Sequence, residues 1–229
     1  SLLALGFNEL VQYSLIKNES YLNNEINLLN PLGKDYSYLR VSLLPNLIKA
    51  AQENLKNGNL MLEGFEYGHI FSTDSSSKIK EIEILAGIFG GIKPKRNWSE
   101  SLMVVSWLEG KGKIEQFFKT LNILTYWKPA QTVKGKNIFH SYCTSEIFLF
   151  NGQKVGIFGQ ISPILANQLN LSTETYLFEF QFEILKFQLQ QNRLTVYQEY
   201  SLYPSIIKNL SFIVKNPISF DNIQKLLYL

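Results

Sequence analysis

Apolar residues at positions 39, 43, 44, 47, 48, 51 and 55 recur with the 3.6-residue period of a helix. Pro45 lies inside this run. Proline is tolerated only in a helix's first turn, so the pattern predicts a helix starting near Pro45. Asp35 and Ser37 are candidate caps upstream, and Asn57-Gly58-Asn59 closes it. A second helical stripe, Ile114, Phe117, Phe118 and Leu121, predicts a helix over 113–124. Elsewhere the period shortens to two. Residues 8–16 pass from a helix end into a strand, Asn30-Pro31-Leu32-Gly33 is a turn, and 60–71 and 79–89 are extended runs joined by a serine-rich loop. Residues 138–150 and 154–161 flank Asn151-Gly152, a strong hairpin signal. Ser162-Pro163 opens a short helix through Leu169, and residues 176–182 alternate as a strand. Beyond Arg193 the pattern gives a short strand, a turn at Tyr203-Pro204-Ser205, a strand over 210–214 and a helix from Ser219 or Asp221. Hairpins with intervening helices describe an α+β fold around a mostly antiparallel sheet.

The 229 residues are 45% hydrophobic and 18% charged, enough for one large domain or a domain plus a fragment, and unlike a disordered chain. The chain starts and stops inside apolar, helix-like stretches, so it is expected to be a piece of something longer. No targeting segment is visible at its start. Its longest apolar run, residues 84–92, has about half the length of a membrane span and contains three glycines, so no membrane association is expected. A single cysteine, Cys143, excludes an internal disulfide and points to a reducing compartment. Of 22 basic residues only Arg40, Arg96 and Arg193 are arginine. With abundant Asn, Ile, Tyr and Phe, this is the bias of an AT-rich genome, a plastid or an AT-rich bacterium. Scarce arginine also limits the planar, bidentate capture of phosphate.

Few residues read as chemistry. Gly87 to Gly91 lacks the Lys-Ser/Thr of a phosphate loop and reads as a glycine-relieved strand end. His69 and His140 lack ligand-spaced neighbours, so no metal site is expected, and Cys143 reads as a small buried hydrophobe. Glu63, Glu66, Glu81 and Glu83 read as a solvated strand face. Lys93, Lys95, Arg96 and Trp98 combine cations with an aromatic ring, a candidate RNA-touching loop set against an ordinary exposed loop.

Taken in order, several stretches resemble one family. They are Gly6-Phe7-Asn8-Glu9, Tyr13-Ser14-Leu15, Asn30-Pro31 and Leu39-Arg40-Val41-Ser42-Leu43-Leu44-Pro45, then Phe65-Glu66-Tyr67-Gly68-His69-Ile70-Phe71. Gly156-Ile157-Phe158-Gly159-Gln160-Ile161-Ser162-Pro163, Tyr176-Leu177-Phe178-Glu179 and Tyr203-Pro204-Ser205-Ile206-Ile207-Lys208-Asn209-Leu210-Ser211-Phe212 continue the series. Their order and spacing resemble the β subunit of bacterial-type phenylalanyl-tRNA synthetase. Departures occur at Lys208-Asn209, where the family has Arg-Asp, and at His140-Ser141, where it has His-Pro.

The resemblance implies a catalytic-like module with a class II synthetase antiparallel sheet over residues 1–200. Residues 203–229 would begin a ferredoxin-like anticodon-binding domain. It further implies an α subunit that performs the ATP- and Mg2+-dependent joining of phenylalanine to tRNA(Phe), an (αβ)2 assembly, and a plastid stroma or bacterial cytoplasm. In class II activation, arginines on one strand and in a glycine-rich strand–helix hold the nucleotide. The corresponding stretches, 62–71 and 154–185, contain none, and the second carries Tyr176, Phe178, Glu179 and Phe180, expected to crowd and repel a phosphate. The module is therefore expected to hold no catalytic residue and to bind no cofactor itself, serving as scaffold, subunit interface and tRNA surface. Leu39, Leu43, Leu44, Pro45 and Leu47 are candidate α-subunit contacts, with their own core as the alternative, and Arg40 is a candidate ion-pair partner across that interface. Two rival functions remain: a stand-alone class II paralogue activating an amino acid, and a non-enzymatic RNA-binding module of the same fold.

Overall fold

The computed structural model describes residues 1–17, 26–59, 62–73, 78–92, 97–99, 101, 103–130, 138–191, 197, 199–214, 218, 220, 223 and 226. The chain divides into two compact units, Ser1–Arg193 and Leu194–Leu229. In the first, a short 3-10 turn (Leu3–Leu5) leads into strands β1 (Asn8–Glu9), β2 (Leu15–Ile16), β3 (Ile26–Asn27) and β4 (Tyr38–Leu39), then helix α1 (Leu44–Lys56). The hairpin β5 (Gly64–Thr73) and β6 (Ile79–Gly90) follows, then α2 (Trp107–Thr120) and β7 (Thr125–Pro129). Strands β8 (Phe139–Leu149) and β9 (Lys154–Ile161), helix α3 (Pro163–Leu169), β10 (Thr175–Gln181) and α4 (Phe182–Gln191) complete the unit.

Among the described residues, seven strands form one sheet in the order β1-β5-β6-β10-β9-β8-β7, and β2-β4-β3 form a small second sheet. Every pairing is antiparallel except β1 beside β5. The large sheet is buried on both sides at its centre. One face, with Phe89, Phe158, Tyr176, Phe178 and Phe180, packs on Ile114, Phe117 and Phe118 of α2. The other, with Ala86, Ile88, Ile161 and Leu177, packs on Leu44, Leu47 and Ile48 of α1 and Leu165 and Ala166 of α3. This explains β10: its alternating sequence is a strand, but six of its seven residues are buried because alternate side chains enter different cores.

Pro45 sits in the first turn of α1 as its missing N–H requires, but neither Asp35 nor Ser37 caps that helix. Asp35 lies in a separate 3-10 turn, and Tyr38–Leu39 pairs as a strand. Helix α2 starts earlier than its apolar stripe. Ser106 and Glu109 form a reciprocal capping box, while Gly110 in the first turn interrupts the hydrophobic period. Gly110 sits close under the Tyr176 ring, which lies 3.1 Å from where its Cβ would be. In the second unit, the strand expected over 210–214 is absent: those residues have no regular structure and are exposed, and an extended segment without a neighbour has no ladder to stabilise it. Phe220, Ile223 and Leu226 are helical, and the rest of that predicted helix lies outside the described residues.

Gly87 is paired in register with Phe178, and the Phe178 ring fills the space a Cβ at 87 would need. Gly87→Ala is expected to cost about 1–3 kcal/mol by overpacking. Thermal unfolding should show the loss, and Phe178→Leu in the same chain should return part of it.

Candidate functional site

The loop from β4 into α1 is held on the sheet by two buried carboxylates. Glu66 of β5 and Glu179 of β10 flank Ala86 of β6 in register, so all three lie in one row on the face that α1 covers. Arg40 is 3% exposed. Its Nη1 donates to Glu66 Oε1 at 2.6 Å and its Nε to the His69 carbonyl at 2.9 Å. Two residues on, Ser42 Oγ donates to Glu179 Oε1 at 2.7 Å while accepting the Leu44 N–H at 3.2 Å. The Leu43 N–H donates to the same Glu179 oxygen at 3.3 Å. Helix α1 has no side-chain cap on its N-cap residue, Leu43, and a carboxylate from the sheet stands at that end, where the helix dipole favours negative charge. Gly68 leaves room for the guanidinium, since a Cβ there would meet Arg40 Nη2. Burial holds the Glu66 carboxyl above the ordinary carboxylate range, opposed by the Arg40 charge and hydrogen bond, and its Oε2 is buried without a donor.

These placements bear on three expectations. Glu66 is not on a solvated face but 2% exposed. Arg40, the candidate ion-pair partner, is paired with Glu66 inside this chain. Glu179 points to the α1 side, away from the rings of Tyr176, Phe178 and Phe180, because successive residues of a strand face opposite ways. Of the proposed subunit contacts, Leu43, Leu44 and Leu47 are 0% exposed and Pro45 is buried, all within this chain's own core, whereas Leu39 is half-buried on β4. Lys93, Lys95 and Arg96 lie outside the described residues; Trp98 is 95% exposed.

The opposite face is filled with rings. Phe178 stacks on Phe180 at 4.9 Å between centroids, Phe180 on Phe117 at 6.1 Å, and Phe89 on Phe158 at 6.2 Å. Phe7 meets Phe89 edge-on, and Lys113 of α2 lies 4.3 Å over the Phe7 ring while paired with Glu63. At one end of the face the Tyr176 hydroxyl lies 2.9 Å from Glu174 Oε2 and 3.0 Å from Val105 C=O, two acceptors that share its single proton; burial and the Glu174 carboxylate raise its pKa. The rings occupy the surface over β6, β9 and β10, and Arg40, the one arginine among the described residues, pairs with Glu66 on the other side of the sheet. Among the described residues no group of histidines, cysteines and carboxylates could hold a metal ion. His140 accepts the Tyr142 and Cys143 N–H groups at Nδ1 where the β8–β9 register breaks, and Cys143 is only half-buried.

A helix-clamping pair of carboxylates on one face and packed rings on the other define an α+β domain built on a mostly antiparallel sheet. Residues 1–182 match the family described as the phenylalanyl tRNA synthetase β chain CLM domain, and the chain belongs to that family. It is 51% identical over 227 residues to the chloroplastic phenylalanine–tRNA ligase β subunit of Phaeodactylum tricornutum, covering 99% of this chain and 32% of that protein. The chloroplastic β subunit of Porphyra purpurea is 35% identical over 97% of this chain and 31% of its own length. The phenylalanine–tRNA ligase β subunit of Trichormus variabilis is 34% identical over 98% of this chain and 27% of its own. The chain thus spans a third or less of the length of these relatives.

Arg40→Ala leaves the Glu66 carboxylate buried without its cation and is expected to cost about 3–5 kcal/mol, whereas Arg40→Met with Glu66→Leu should recover most of this. Urea unfolding distinguishes the two, and equal losses in both would show that burying the unpaired charge is not the cause. The folded chain binds the Glu66 proton more readily than the unfolded chain. Stability should therefore fall as pH rises from the ordinary value of 4.5 through the raised one, then level off. Glu66→Gln should remove that slope from a pH series of unfolding curves.

Proposed function

We propose that this chain is part of the β subunit of a phenylalanine–tRNA ligase, the enzyme that attaches phenylalanine to tRNA(Phe) using ATP and Mg2+. In this reading residues 1–200 are a class II synthetase-like module that has given up catalysis. Residues 203–229 open a ferredoxin-like anticodon-binding domain. An α subunit binds ATP and carries out the chemistry in an (αβ)2 assembly, and this module supports it. The observation that carries this reading is the ring-filled sheet face, whose surface is taken up by packed aromatic side chains and α2, while Arg40, the one arginine among the described residues, is spent on Glu66 on the other side. The names of the relatives support the ligase assignment, and two of those named above are chloroplastic, which supports a plastid location. A stand-alone paralogue that activates an amino acid is disfavoured by the same filled face.

The α-subunit contact follows from what is exposed beside the buried leucines. Tyr13 (75% exposed) packs edge-on against Tyr36 near the N-terminal half of α1, and Leu29 and Leu32 are fully exposed. Tyr13 and Tyr36 line a groove with Pro45, Asn46 and Lys49 of α1. Leu43, Leu44 and Leu47 would then act from beneath, by holding α1 in place, and Leu39 from the adjoining strand. The exposed indole of Trp98, with Lys93, Lys95 and Arg96 close in sequence, is a tRNA contact in the same reading.

Co-expression with a matching α subunit should yield a complex that phenylalanylates tRNA(Phe), while either chain alone gives none. Exchange of pyrophosphate into ATP by the β subunit alone would overturn the reading.

A further inference from the structure

The outer end of the sheet, on the face that α1 and α3 cover at its centre, presents rings and a cation together. Trp127, Ile147 and Leu149 belong to the aromatic core or pack against it. Strand alternation then puts Tyr126, Lys128 and Phe148 on the other face. Tyr126 and Phe148 are a directly opposed pair with near-parallel rings, centroids 5.5 Å apart, and Phe150 meets Tyr126 edge-on at 5.9 Å. Phe150 is 72% exposed, and Tyr142, at the break in the β8–β9 register, is 91% exposed. The Lys128 ammonium lies 5.3 and 5.0 Å from the Tyr126 and Phe148 centroids. Its register partner Glu146 is engaged by Lys154.

Charge separates the possible occupants. Residues 116–149, which include the whole hairpin, contain four lysines and one carboxylate, Glu146, while the rest of the chain holds 18 basic and 18 acidic residues. The chain's net charge of +3 is therefore matched by the sequence of this one hairpin and its approach. Protein–protein interface cores are depleted in lysine. Half-buried rings paired across two strands, exposed rings at Tyr142 and Phe150, and the Lys128 ammonium against them suit nucleobases that stack and phosphates that pair.

We propose that the β7–β8 hairpin is an RNA-contacting platform, with Tyr126, Tyr142, Phe148 and Phe150 offering ring surface and Lys128 a phosphate contact. The proposal rests on the tRNA-ligase reading and adds a contact surface distinct from the Trp98 loop. The test uses the full-length β subunit assembled with its α subunit, and a tRNA(Phe) transcript as probe. Combining Lys128→Gln, Tyr142→Ala and Phe150→Ala should weaken tRNA binding about tenfold. It should also make the slope of log K against log salt shallower by about one. Lys56→Gln, at the exposed end of α1, should leave both within about twofold. Should the combined variant melt early, Lys128→Gln alone carries the slope measurement. Unchanged affinity and slope overturn the platform and leave the ligase reading intact. Loss of α-subunit association with unchanged tRNA affinity in whatever complex forms also overturns it, because the surface then belongs to a protein. If the unmodified assembly binds no tRNA, the ligase reading itself fails.

Discussion

The fold turns on how one polar loop is fastened to an apolar sheet. Between β4 and α1 the chain carries Arg40 and Ser42, two residues apart, and the sheet carries Glu66 and Glu179 two strands apart with Ala86 between them. The spacing of the loop matches that of the sheet, and the small Ala86 side chain leaves the intervening strand low. Charges buried this deeply carry a desolvation cost that a hydrophobic substitute would avoid. What they add is a fixed place for the start of α1, which has no cap of its own. The groove beside that helix, lined by Tyr13 and Tyr36, inherits its position from this fastening.

The two faces of the sheet divide the work. The side under α1 and α3 mixes aliphatic packing with the carboxylate fastening. The side under α2 interleaves aromatic rings with aliphatic side chains, closed at one edge by the Lys113–Glu63 pair and at one end by the Tyr176 hydroxyl. Both cores share β10, so the strand most deeply enclosed is the one whose residues set the character of each.

Much of this was legible in the sequence, for definite reasons. Asn151-Gly152 between alternating runs and Pro45 ahead of a helical stripe are local signals, and both elements formed where those signals put them. The start of α2 was hidden because Gly110 breaks the apolar period, although Ser106 and Glu109 stood at capping-box spacing. The parallel pairing of β1 and the short β2-β4-β3 sheet could not be read from strands two residues long. The Arg40–Glu66 pair lay out of reach for a different reason. Partners 26 positions apart meet only in the folded chain, and a lone acid on β5 looks the same in sequence whether it faces water or a buried guanidinium. The candidate interface leucines illustrate the same limit, since a surplus of apolar side chains does not say which of two cores will take them.

The rings of β10 and the glycines beside them also bear on descent. Phe178 occupies the room left at Gly87, and Phe180 and the Glu179 carbonyl occupy that left at Gly156. A mutation that placed a small residue at 178 or 180 would open a void beside a bare backbone, and one that enlarged either glycine first would collide with a ring. Neither member of such a pair can change by a stable single step, so ring and glycine are bound to vary together, a steric lock on drift at the centre of the sheet.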